Sequence, residues 1–86
     1  MERMAFIIQN ETGLHARPAA VLMRLAKKFQ SQIQLEKNGR SCNAKSIMGI
    51  LSMGVGKEDE LVITADGTDE IQAIEAIKEL FDKGIS

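Results

Sequence analysis

The chain has 86 residues, which leaves room for one small domain, expected to span residues 1–86. Hydrophobic residues make up 44% and charged residues 27%, a balance that excludes a disordered polyelectrolyte. Eleven Lys and Arg face twelve Asp and Glu, and the only aromatics are Phe6, Phe29 and Phe81. The chain as a whole therefore lacks the basic footprint and the stacking platform of a nucleic-acid binder, and a local basic patch stays open.

Residues 4–8 form a short apolar run rich in Ile and Phe and predict a strand. The polar, Gly-containing stretch 9–13 predicts a loop. The period then changes. Ala19, Leu22, Ala26 and Phe29 fall at helical spacing with Leu25 beside them, and Arg24, Lys27 and Lys28 fall opposite. Pro18 is tolerated only in a first helical turn, so this helix is expected to begin at or near His15.

Residues 32–36 alternate polar and apolar, the pattern of a half-buried strand. Asn38-Gly39 accepts positive φ at both positions and predicts a tight hairpin, with 40–43 returning. Ser46 is placed to cap a short helix over 47–53, ended by Gly54 and Gly56. Residues 60–65 alternate again, with Leu61, Ile63 and Ala65 on one face. Asp66-Gly67-Thr68 reads as a turn and cap. Asp69 and Glu70 are expected in the first turn of a last helix, where the dipole favours acids. Ile71, Ile74, Ile77 and Phe81 are expected to form its apolar stripe, with Leu80 alongside. Glu79 and Lys83 make an i,i+4 pair, and Gly84 ends the helix.

The order β-α-β-β-α-β-α predicts an α/β (α+β) two-layer open-faced sandwich. A four-stranded, mainly antiparallel sheet is expected, with helices on its apolar face and its polar face open to water.

His15 is the only imidazole, and it stands where loop meets helix in 12-TGLHARPAA-20. The first amides of a helix have no internal partner and, with the helix dipole, favour an anion. A neutral imidazole there is a nucleophile, and Arg17 is placed to pair with a phosphoryl group. The small residues Ala16, Ala19 and Ala20 leave room for a partner. The plainer alternative is a histidine that only caps the helix. In 43-NAKSIMGILSMG-54, Ser46 sits at a helix start, where a phosphate would be favoured. Ile47, Met48 and Leu51 offer an apolar docking surface, although some of Ile47, Ile50 and Leu51 must be core.

Other chemistries fail on inspection. Ile50 stands two residues before Ser52 where a hydrolase elbow needs its first glycine, and Val55 stands where a phosphate loop needs Lys. One His and one Cys cannot build a four-ligand zinc site, so no metal and no cofactor is expected. A single cysteine, Cys42, rules out an internal disulfide and fits a reducing compartment. The apolar run 18–23 is far short of the ~20 residues of a membrane span. The N-terminus also lacks a signal-peptide core. A cytoplasmic protein without membrane insertion is expected.

Two motifs, 13-GLHARPA-19 and 45-KSIMG-49, resemble those of the HPr family, the histidine-containing phosphocarriers of the bacterial phosphoenolpyruvate-dependent sugar phosphotransferase system. The resemblance covers the whole chain. It implies three helices on a sheet of strand order 1-4-2-3, and a carrier consumed and regenerated stoichiometrically rather than an enzyme. His15 would take a phosphoryl group on Nδ1 from phospho-enzyme I and pass it to sugar-specific IIA domains. Thr12, Ala16 and Arg17 would lie around that phosphate. Ser46 would be the target of HPr kinase/phosphorylase, whose product binds a transcriptional regulator in some relatives. Pro18, Ala20, Arg24, Lys27, Ile47, Met48 and Leu51 would form the docking surface of a monomer. Alternatives are a nitrogen-system paralogue and a binding module governed by Ser46.

Overall fold

The computed structural model describes residues 1–9 and 11–84. Asn10 in the expected loop, and the last two positions of the expected domain, lie outside the described residues. The elements are β1 (Glu2–Ile7), α1 (Ala16–Ala26), β2 (Gln32–Lys37), β3 (Arg40–Asn43), α2 (Ile47–Ser52), β4 (Glu60–Asp66) and α3 (Glu70–Asp82). The four strands form one antiparallel sheet in the order β1-β4-β2-β3. This is the open-faced sandwich that the order of elements and the family resemblance imply.

Register follows from which side chains need burial. Phe6 pairs with Leu61, Met4 with Ile63, and Ile63 in turn with Leu35 on the other side. These residues share the helix-facing side, while Arg3, Gln34 and Thr64 lie on the opposite face. Ile33, Leu35, Leu61, Ile63 and Ala65 are fully buried beneath Leu22 and Ala26 of α1, Ile50 of α2 and Ile77 of α3. The hairpin is as tight as Asn38-Gly39 predicts. Lys37 pairs directly with Arg40, and the two turn residues have φ of 52° and 81°.

Several boundaries and one face differ from the sequence reading. β1 starts at Glu2 and stops at Ile7, and Ile8 is buried just beyond it. α1 ends at Ala26 rather than running to Phe29. Its end tightens, with Lys28 N–H donating to Leu25 and Phe29 N–H to Ala26. Phe29 still packs against the core, and its carbonyl accepts a hydrogen bond from Lys45 Nζ at 2.7 Å. α2 ends at Ser52, with Met53 as its C-cap.

The corrected face is on α3. Ile71 is 56% exposed, and Ala73 joins Ile74 and Ile77 in the core. Three residues advance a helix by about 300°, so a strict i,i+3 series drifts about 60° per step. Ile71 is thereby turned about 120° away from Ile77, whereas Ala73 lies near it. Phe81 remains on the packed side and stacks on Phe6 of β1, with centroids 4.9 Å apart.

Asp69 is the N-cap of α3, not part of its first turn, and its side chain makes no capping bond. It reaches across to the α1–β2 connection instead. Its carboxylate accepts the N–H groups of Gln30 and Ser31 at 2.8 and 2.9 Å, together with the Ser31 hydroxyl. These bonds hold its carboxyl below the usual range, the Ser31 hydroxyl contributing most. They also satisfy Ser31, the one polar side chain among the buried described residues.

Candidate functional site

α1 begins at Ala16 because Gly13 and Leu14 are fixed against a distant turn. The Leu14 N–H donates to the Val55 carbonyl at 3.0 Å. Gly13 has φ of +63°, and a Cβ there would lie 2.2 Å from the same carbonyl oxygen. No other residue fits both constraints. Leu14 itself is buried, which brings the chain to the surface at the next residue, His15.

His15 is the N-cap of α1, with extended backbone (φ −83°, ψ −167°), and its side chain makes no capping hydrogen bond. Its carbonyl accepts the Ala19 N–H at 2.9 Å, the first bond of the helix. The imidazole therefore does not serve as a side-chain cap. The imidazole is exposed, as are Ala16 and Arg17. The amides of Ala16 and Arg17 precede the first i−4 carbonyl of the helix, and Pro18 has no N–H to offer. The first turn holds no acidic residue that would compete for its positive end. Thr12 is exposed just before Gly13. The arrangement sets an exposed imidazole at a helix start whose first amides lack an i−4 partner, with an exposed Arg17 in the first turn, a setting suited to an anion.

The second motif lies on α2, which packs beside α1. Ser46 is exposed and caps α2, its Oγ accepting the Gly49 N–H at 3.1 Å. Ile50 is buried and Ile47 half-buried, leaving Met48 74% and Leu51 38% exposed. On α1, Arg24 is exposed and Ala20 half-buried, and the C-cap Lys27 is exposed.

Pro18 is the exception among the expected docking residues. Its ring is fully buried, because positions 18, 19, 22 and 26 share the core-facing side of α1. It lies beneath the surface that its exposed neighbours on α1 form.

Among the described residues, no cluster of three His, Cys, Asp or Glu is gathered that could hold a metal ion, and no helix is long and apolar enough to cross a membrane. A concavity of about 360 Å³ between β1 and the end of α3, lined by Phe6, Ile7 and Phe81 among others, does not include His15.

The sequence reading missed the support beneath the site. Val55, Asp59 and Lys37 lie far from His15 along the chain and carry no local pattern. Only the glycine at position 13 hinted that another part of the backbone comes close.

Comparison with known proteins agrees with this fold. The family model described as "PTS HPr component phosphorylation site" matches residues 3–83. The chain is similar to an HPr of Thermoanaerobacter tengcongensis, at 48% identity and a TM-score of 0.92, covering 95% of this chain and 92% of that one. It is similar to a mycoplasma histidine-containing phosphocarrier protein at 42% identity and a TM-score of 0.92, covering 98% and 97%. It also matches Crh, the Bacillus subtilis catabolite repression protein, described as a swapped dimer, at 37% identity and a TM-score of 0.78, covering 100% and 99%.

Proposed function

Since the chain belongs to the HPr family of phosphocarriers, we propose that it carries a phosphoryl group on His15 between phospho-enzyme I and sugar-specific IIA domains. The observation that supports this reading is the exposed His15 imidazole, without a capping bond, at the unopposed start of α1 with Arg17 in the first turn.

In the forward step Nδ1 of His15 attacks phosphorus. A new N–P bond forms as the N–P bond of the donor's phosphohistidine breaks, and the donor imidazole leaves with its electron pair. The Ala16 and Arg17 amides and the Arg17 guanidinium balance the charge on the transferred group. Handing on to a IIA histidine is the same exchange in reverse. The chain is a stoichiometric carrier, with no cofactor of its own.

Partners meet the surface formed by Met48 and Leu51 beside Ala16 and Ala20, with Arg24 and Lys27 steering acidic surfaces. Such a surface serves several partners in turn, which calls for moderate affinity and fast exchange. The working form is a cytoplasmic monomer, which light scattering at assay concentration tests against the dimeric state of the Crh relative.

The test is intact mass after incubation with phosphoenolpyruvate and enzyme I. The reading expects one added phosphoryl group, removed by acid and absent from a folded His15→Ala variant. No added mass on the folded wild-type chain would refute it.

A second reading is supported by Ser46, exposed at the start of α2 next to Met48, and by the match to Crh. A phosphate there adds about two negative charges beside the apolar patch and weakens docking to enzyme I. An ATP-dependent kinase that modifies wild type but not Ser46→Ala would support this branch. The nitrogen-system alternative is decided by which enzyme I, sugar-system or nitrogen-system, phosphorylates the chain faster.

A further inference from the structure

We propose that Lys37 and Asp59 are positioning residues for His15, bracing the 54–56 turn on which the Gly13–Leu14 approach to His15 rests. As a role in catalysis this depends on the phosphocarrier reading. As a statement about geometry it stands on the following contacts.

Lys37, at the end of β2, sends its ammonium to two acceptors. Its Nζ donates to the Gly54 carbonyl at 2.8 Å and pairs with Asp59 Oδ2 at 2.8 Å. The same Asp59 oxygen accepts the Gly56 N–H at 2.7 Å. Gly54 and Gly56 flank Val55, so both neighbours of the carbonyl that receives Leu14 are tied to one ion pair. Val55 is itself buried. Its carbonyl therefore has little freedom, and Gly13 and Leu14 inherit that placement.

The turn also holds the other end of the loop. The Ile8 N–H donates to the Asp59 carbonyl at 3.0 Å, and the Glu58 N–H donates to Ile8 at 2.7 Å. Between these contacts Glu58 adopts φ of +71°, a conformation that is unfavourable for a non-glycine residue and persists only where its surroundings enforce it.

Most ion pairs among the described residues lie on open surface, where they contribute little. Lys37 is different: its side chain is only 18% exposed, against 43% or more for Lys57, Lys78 and Lys83 in their pairs. Its partner's carboxyl is held below the usual range, first by Lys37 and then by the Gly56 N–H, as a bracket between fixed groups requires.

The test compares the full chain with Asp59→Asn, Lys37→Met and Lys37→Arg. Amide hydrogen exchange is followed at Leu14, with Leu35 and Ile63 as reporters of the whole fold. Steady-state transfer from enzyme I is measured alongside. The bracket predicts that Asp59→Asn and Lys37→Met speed Leu14 exchange roughly tenfold while Leu35 and Ile63 hold steady. It predicts kcat lowered roughly tenfold to a hundredfold with KM within about twofold, because docking residues are untouched. Lys37→Arg should restore most of the rate.

Unchanged Leu14 exchange in both variants overturns the proposal. So does Leu14 exchange that rises only in step with Leu35 and Ile63, or faster Leu14 exchange with an unaltered kcat. If wild type accepts no phosphoryl group, the phosphocarrier reading falls, and the Leu14 exchange alone decides the bracket.

Discussion

The Leu14 amide donates to the Val55 carbonyl at 3.0 Å, and this bond, with the close approach of Gly13 to the same carbonyl, anchors the chain just before the N-cap of α1. A loop that must end in a defined helix start needs such an anchor. Without it the cap could slip by a residue and turn the imidazole to another direction.

Gly13 is the position most sensitive to this anchor. Gly13→Ala combines an unfavourable φ with a Cβ 2.2 Å from the Val55 oxygen. Denaturant unfolding should show a loss of roughly 2 kcal/mol or more. An unchanged midpoint would mean that the loop can leave the 54–56 turn at little cost.

Met48 and Leu22 should separate docking from folding. Met48 is 74% exposed, and Met48→Ala should alter stability by less than about 0.5 kcal/mol while raising KM for enzyme I. Leu22 is fully buried, and Leu22→Ala should cost about 2–5 kcal/mol with KM for enzyme I unaltered wherever the chain remains folded. Urea titrations and transfer kinetics on both variants check the contrast. Equal effects on KM would remove Met48 from the docking surface.

Asp69 gives a pH signature. Its folded carboxyl titrates below the ordinary value of 3.8, so it binds its proton less readily in the folded chain than in the unfolded one. That stability is present above the ordinary value and is lost as pH falls through the lower, folded one. Asp69→Asn should be less stable at neutral pH and should lose stability less steeply on acidification between about pH 5 and pH 2. Asp59 and Glu70, also held low, leave some acid dependence behind. Parallel acid-unfolding curves for variant and wild type would contradict the role given to Asp69.

Much of this architecture is legible in the sequence because it is written locally. Asn38-Gly39 states its own backbone geometry, and the alternation of Leu61, Ile63 and Ala65 states its own face. His15 and Arg17 announce a helix start through Pro18. What is not legible depends on residues brought together from afar. Asp69 looks like a first-turn acid until Ser31, 38 residues away, is seen to donate to its carboxylate. Pro18 looks like surface until the burial of Ala19 and Leu22 turns its ring inward. Ile71 misleads because an i,i+3 run drifts around the helix, and only the packed sheet decides which edge of a broad stripe is covered. Lys37 and Asp59 carry no signal of their own in the sequence, because nothing nearby in the chain reveals that they share Gly54 and Gly56.

The most direct test of the central claim is peptide mapping of the chain after phosphoryl transfer from enzyme I, under alkaline conditions that preserve phosphohistidine. The account predicts one phosphoryl group, on the peptide containing His15, which a IIA domain then removes. A phosphoryl group on any other residue, or one that no IIA domain accepts, would contradict it.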